Sequence, residues 1–184
     1  MCGEILLSAV DTQWMDMERM VSMAFALSKM QLESAAFKPG GMIPRKHTGE
    51  DVDVSPELSW DTIPENTKSF AVVCHDPDAP KIEEGHYGYV HWVLYNIPGT
   101  VASLPEGVEG YTTGINDSGK NGYMGPMPPQ GHGPHFYYFM VFALDETLDL
   151  PAGLTLWQLL EKIEPHVLGM NRLIGRYERK NGYD

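Results

Sequence analysis

Three short segments of the sequence gather side chains that can hold or move a proton. The first, His75-Asp76-Pro77-Asp78-Ala79-Pro80, directly follows the apolar run Ser69–His75. Its two prolines fix much of the backbone, so both carboxylates ride on a stiff loop. Such a loop can orient a histidine or accept a hydrogen bond from a ligand; equally, Asp76 can simply satisfy the N–H groups of a tight turn. The second is His91, inside Tyr89–Ile97. Strand alternation puts Tyr89, His91, Val93 and Tyr95 on one face and Val90, Trp92 and Leu94 on the other. Both faces are largely apolar, so His91 is expected to be at least partly buried, as a core residue or as a ligand contact. The third is Tyr123–Tyr137, YMGPMPPQGHGPHFY, whose glycines and prolines suit neither helix nor regular strand. His135 and Tyr137 are two apart and share a face where the chain enters the next apolar run. An imidazole and a phenol side by side can both donate to an anionic oxygen, and free backbone N–H groups could add to that surface. A purely structural loop is the competing reading.

These segments must be positioned by strands. Ser69–His75 and Tyr89–Ile97 read as strands, and Phe136–Leu144 (FYYFMVFAL) reads as a strand covered on both faces. With 19 glycines and 14 prolines, turns are frequent and long helices few, which suggests a β-sandwich or barrel. One helix is well marked near the end: Thr155 with Gln158 forms a capping box, and Leu156, Leu159, Leu160 and Ile163 give an apolar face before Pro165 disturbs it. Arg172–Arg179 reads as a short last strand. Residues 1–30 differ in texture. Met15, Met20, Val21, Ala24, Phe25 and Leu27 fall roughly at helical spacing, so 1–30 is expected to be a helical extension and 31–184 the main domain. The extension is read as packing on that domain or on a partner subunit, with a flexible arm or an original start at Met30 as alternatives.

At 184 residues the chain suits one well-buried core. A hydrophobic content of 42 % with 21 % charged residues is that of a globular protein rather than a disordered one. The formal charge of −12 argues against nucleic acid or an anionic membrane as the main partner, without excluding a local anion site. Of the two cysteines, Cys2 is near the chain end and Cys74 lies in an apolar run, so a reducing, cytoplasmic setting is expected. Neither a convincing secretory signal nor a membrane span is visible.

Other chemistries fit less well. His75, Asp76, Asp78, His86, His91, His132 and His135 match no standard zinc spacing, so no metal and no cofactor are expected. Cys74 is in a strand and no serine occupies a nucleophile elbow, so no catalysis is expected either.

The three segments in this order resemble the phosphatidylethanolamine-binding protein family, also known as the Raf kinase inhibitor family. The resemblance rests on Asp-Pro-Asp-Ala-Pro at 76–80, a strand carrying His91, and Gly125-Pro-x-Pro-Pro-x-Gly-x-Gly-x-His135-x-Tyr137. It runs from about Gln31 to Lys180, including Val54–Trp60 and His166-Val-Leu, and is nearest the short prokaryotic branch. It implies a mainly β, sandwich-like fold with a large central antiparallel sheet, a smaller second sheet and a few peripheral helices. It also implies a pocket for phosphate, phosphorylethanolamine or a similar anionic head group, formed by Asp76, Pro80, His91, His135 and Tyr137. The rim would be Gly125, Pro126, Met127 and Pro128. Inhibition of a kinase or protease through protein contacts is the alternative function, and a homodimer is an open assembly. Met127 stands where eukaryotic members have a glycine, and Phe136 where some relatives have a base; the 1–30 segment has no counterpart in the short bacterial form.

Overall fold

The computed structural model describes residues 26–79 and 87–180. Five strands form the larger sheet: β3 (Ser69–Asp76), β4 (Tyr89–Pro98), β6 (Thr112–Thr113), β7 (His135–Leu144) and β8 (Val167–Tyr177), in the order β6-β4-β3-β7-β8. A smaller sheet is built from β1 (Gln31–Glu33), β2 (Leu58–Asp61) and β5 (Ser103–Leu104), in the order β1-β2-β5. Every pairing is antiparallel. The mainly β, two-sheet expectation therefore holds.

The central strand β3 carries apolar residues on both sides because both of its faces are covered. Phe70, Val72 and Cys74 enter the core between the sheets, with Leu32, Leu58, Trp60, Trp92, Phe139 and Val141. Ala71 and Val73 face the other way, toward helix α1 (Leu156–Ile163), with Val93, Tyr95, Phe142, Leu159 and Ile163. Helix α1 has the capping box read from the sequence, with Thr155 accepting from the Gln158 N–H and Gln158 accepting from the Thr155 N–H. Eight residues are too few for a stable isolated helix. Burial of Leu156, Leu159 and Ile163, each contributing about 1.5–3 kcal/mol, holds it on the sheet. The apolar pattern stops at Ile163, where Glu164–His166 tighten into a 3-10 turn that contains Pro165.

Three expectations need correction. Strand β7 is not covered on both faces throughout: Phe136 is 39 % exposed, and Tyr138 and Met140 are half-buried. Only its distal half, from Val141, lies between two cores. Strand β8 begins at Val167 and ends at Tyr177, rather than spanning Arg172–Arg179. Its glycines obscure it in the sequence, and they are there because other chain segments cross it. A Cβ at Gly175 would stand 2.6 Å from Ile43 Cγ1, and one at Gly169 2.9 Å from Ser28 Cβ.

The third correction concerns β4. Cys74 pairs with Trp92 but His75 pairs with Val90, which leaves His91 as the extra residue of a β-bulge. The bulge resets the alternation. Val90, Val93 and Tyr95 face helix α1, while Trp92 and Leu94 face the inter-sheet core. His91 contacts the Tyr137 ring at 5.1 Å, on the side opposite Val93 and Tyr95, not beside them as simple alternation predicts.

Residues 1–25 of the expected helical extension lie outside the described residues. Residues 26–30 are not helical: Leu27 bridges to Met170, the Ser28 N–H donates to the Met170 carbonyl, and Met30 is fully buried in the inter-sheet core. No helix among the described residues is long and apolar enough to cross a membrane.

Candidate functional site

The ends of β3, β4 and β7 meet at one edge of the larger sheet, where the Met124–Pro129 loop arches over them. Between them lies a cavity of about 200 Å³ lined by Asp76, Ala79, Tyr89, His91, Met124, Met127, Pro128, Pro129, His135 and Tyr137. That is smaller than the roughly 300 Å³ at which pockets for drug-sized ligands begin. Of the residues expected here, Asp76, His91, Met127, Pro128, His135 and Tyr137 are brought together. Pro80 lies outside the described residues.

Gly125 and Pro126 do not form the rim expected of them. Both are buried beneath it, against the Arg45–Asp53 segment. The Gly125 N–H donates to Asp53 Oδ1 at 2.6 Å, and the Pro126 carbonyl accepts from Gly49 N–H at 3.1 Å. A Cβ at Gly125 would stand 2.3 Å from the His47 carbonyl oxygen, so the glycine allows two backbone segments to touch. The glycine seats the loop against the Arg45–Asp53 segment.

Asp76 performs two of the three tasks the sequence left open, closing the turn and orienting a histidine. Its Oδ1 accepts from the N–H groups of Asp78 at 2.8 Å and Ala79 at 3.2 Å, closing the turn. Its Oδ2 accepts from His135 Nδ1 at 2.7 Å, with both side chains almost fully buried. Asp78 clamps the same loop to β7 by accepting from the Phe136 N–H at 2.8 Å. The other nitrogen of His135 is also engaged, since Nε2 lies 2.9 Å from His132 Nδ1. Asp76, His135 and His132 thus form a carboxylate–imidazole–imidazole chain from the buried strand end to an exposed loop residue. An oxygen that reaches His135 must take the place of His132.

His91 is held by Met124 in both directions. The Met124 N–H donates to the His91 carbonyl at 2.9 Å, and His91 Nδ1 donates to the Met124 carbonyl at 2.7 Å. Burial lowers the His91 pKa, outweighing the raising influence of the Met124 carbonyl and Asp76. The ring is therefore neutral at neutral pH. The Tyr137 hydroxyl is fully buried and makes no well-formed hydrogen bond among the described residues, although the Asp76 carboxylate is close enough to interact with it. Burial first, and then the negative charge of Asp76, push its pKa far upward, so it stays an O–H donor. No lysine or arginine is among the described lining residues.

Tyr89, Met124, Ala79, Pro129 and His132 were missed as site residues. Tyr89 shares the His91 side of β4, and its ring lies 4.9 Å from the imidazole. Alternation around His91 was signal enough to find it. Met124 acts through its backbone, which its residue type does not announce. His75, a candidate metal ligand in the sequence, instead bonds the Tyr87 carbonyl at 2.9 Å through Nε2. Among the described residues no group of three or more His, Cys, Asp or Glu side chains is arranged to hold a metal ion.

Comparison with known proteins agrees with this architecture. A family model for phosphatidylethanolamine-binding proteins matches residues 33–178. The chain is 43 % identical over 157 residues to a UPF0098 protein of Methanothermobacter thermautotrophicus, covering 82 % of this chain and 99 % of that one. The crystal structure of a phosphatidylethanolamine-binding protein homologue of Chlamydia trachomatis superposes with a TM-score of 0.76 at 38 % identity, over 82 % of this chain and 97 % of the other. That of Escherichia coli YbcL, described as a member of the mammalian family, gives 0.76 at 32 % identity, over 83 % and 100 %. With its two-sheet fold and a matched segment that spans the whole candidate site, this chain belongs to the phosphatidylethanolamine-binding protein family.

Proposed function

We propose that the cavity at the ends of β3, β4 and β7 binds a small oxyanion-bearing ligand, such as phosphate or a phosphorylated head group, without transforming it. The observation that carries this reading is the Tyr137 hydroxyl, a fully buried donor in the wall of a cavity that makes no well-formed hydrogen bond among the described residues. Leaving such a group unpaired costs about 1–3 kcal/mol, so an acceptor oxygen from a ligand is the natural occupant. His135 would add a second donor once His132 gives way. The bulge puts His91 on the same wall, 5.1 Å from the Tyr137 ring.

What lines the site supports the binding reading over a catalytic one. No Ser, Thr, Cys or Lys side chain is among the described lining residues, and the Asp76 carboxylate and His135 imidazole are bonded to each other. Cys74 lies near but is buried, and its thiol pKa is pushed well up, chiefly by burial and further by Asp76. A buried free thiol also suits the reducing, cytoplasmic setting that belongs to this reading. A few hydrogen bonds to a bare head group correspond to dissociation constants from about micromolar to millimolar.

The test is a titration with phosphate and with phosphorylethanolamine, followed by the NMR signals of the histidines. Saturable shifts at His91 and His135, abolished in Tyr137→Phe, are expected. Absence of any response at millimolar ligand would overturn the proposal.

A further inference from the structure

The polar groups around the cavity are unevenly matched. Acceptors are plentiful: the Asp76 carboxylate, the Met124 carbonyl, and one nitrogen of His91. Free donors are few among the described lining side chains: both nitrogens of His135 are engaged, and the Tyr137 hydroxyl makes no well-formed bond although the Asp76 carboxylate is close to it. The state of His91 decides the balance. Its Nδ1 lies 2.7 Å from the Met124 carbonyl oxygen, which can only accept, so Nδ1 carries the proton. In the neutral ring Nε2 is then a bare lone pair, and it has no partner among the described residues. The Met124 N–H bond to the His91 carbonyl fixes the backbone on which the ring is mounted, so the tautomer is set by geometry rather than by the ligand.

We infer that His91 is the specificity-determining residue of this pocket and selects an oxyacid that still carries a proton, the hydrogen-phosphate form of a phosphate group, over a fully deprotonated dianion. The inference rests on the oxyanion reading above. One ligand oxygen accepts from Tyr137, and a ligand O–H donates to His91 Nε2. A dianion without a proton would set its lone pairs against that of His91 and its charge against Asp76, in a cavity with no lysine or arginine in its described lining. Inorganic phosphate carries such a proton throughout the neutral range, because its third proton leaves only at strongly alkaline pH; a phosphate monoester, whose second pKa lies near ~6, keeps one on a minority of molecules there. Sulfate, of nearly the same size and shape, does not. The charged and titratable groups facing His91 are Tyr89 on its own strand, Asp76 and His75 on β3, His135 and Tyr137 on β7, and Asp117 on the loop after β6. The acidic ones among them reinforce the rejection of a dianion.

The experiment is isothermal titration of the full chain with inorganic phosphate and with sodium sulfate at pH 6 to 7 and constant ionic strength. It is paired with 15N spectra of the histidine rings. Phosphate is expected to bind at least about tenfold more tightly than sulfate, a gap of roughly 1.4 kcal/mol. The 15N spectrum should show His91 protonated at Nδ1 only, with Nε2 shifting as it accepts a hydrogen bond from added phosphate. In His91→Phe the phosphate affinity should fall to the sulfate level; the tautomer measurement on the wild type stands by itself if that variant does not fold. Equal binding of the two anions, or a proton on His91 Nε2, would overturn the inference and leave oxyanion binding standing. Failure of both anions to bind at millimolar concentration would remove the oxyanion reading and this inference together.

Discussion

Tyr95 and Tyr137 are buried to the same degree, 1 % and 0 % exposed, toward opposite ends of the same sheet. Their hydroxyls have different fates. Tyr95, under helix α1, donates to the Pro151 carbonyl at 2.6 Å and accepts from the Leu154 N–H at 3.3 Å. Tyr137, at the pocket end, has neither. Burial raises both phenol pKa values, so both remain protonated and both need an acceptor. The Tyr95 environment is complete as folded. That of Tyr137 leaves the hydroxyl without a well-formed bond among the described residues. The same contrast extends to the surrounding side chains. The helix-covered face is a dry cluster of Ala71, Val73, Val93, Phe142, Leu159 and Ile163, whereas the pocket end holds a buried carboxylate and two buried histidines. Apolar packing holds one end, and a buried polar network the other.

The largest test of this contrast is Asp76→Ala. It removes the acceptor of His135 Nδ1 and of two backbone N–H groups, all in a buried setting. A loss of about 3–5 kcal/mol is expected in denaturant unfolding. A loss below about 1 kcal/mol would mean that the pocket end does not depend on this carboxylate.

Tyr95→Phe should cost about 1–3 kcal/mol, because the Pro151 carbonyl loses its donor and the Leu154 N–H its acceptor. Phosphate affinity should not change. Tyr137→Phe reverses the pattern: the unfolding free energy does not fall and rises by up to about 1–3 kcal/mol, since a buried hydroxyl without a well-formed bond is removed, while phosphate affinity falls at least about tenfold. If the two variants behave alike in both assays, the division between a structural and a ligand-facing tyrosine is wrong.

The smallest effect is a slope. Burial lowers the His91 pKa in the folded chain below the ordinary ~6.5 of the unfolded one. The unfolded chain therefore takes up a proton that the folded chain refuses. The stability contribution is fully present above the ordinary histidine range and is lost as pH falls through it. Melting temperature should drop between pH 7.5 and 5.5, and more shallowly in His91→Gln. An identical slope in the two proteins would assign the acid sensitivity to other groups.

Much of the scaffold was legible. The runs at 69–76, 89–98 and 135–144 are rich in β-branched and aromatic residues, and they form the three strands that meet at the site. Thr155 and Gln158 announced the start of α1 because a capping box is local in sequence. The motif residues Asp76, His91, His135 and Tyr137 were all found, and they do converge. What could not be read depends on partners far away along the chain. The bulge at His91 exists only in its pairing with β3. Gly125 looked like rim because nothing in its neighbourhood shows the His47 carbonyl 2.3 Å from where its side chain would be. His132 lies three residues from His135, close enough to bond it, but only the fold of the glycine–proline loop turns the two rings together.

By itself the sequence determined the class of fold, the main strands, the capped helix and the identities of the polar residues at the site, because periodicity, turn residues and caps act over a few residues. The tertiary structure alone decided which wall His91 joins, that both nitrogens of His135 are occupied, that Gly125 and Pro126 support the loop from beneath, and that the Tyr137 hydroxyl makes no well-formed bond among the described residues while that of Tyr95 makes two. Each of these is a hydrogen bond or a close contact, made or missing, between segments tens of residues apart, and such pairings are set by how the strands stack rather than by any local pattern.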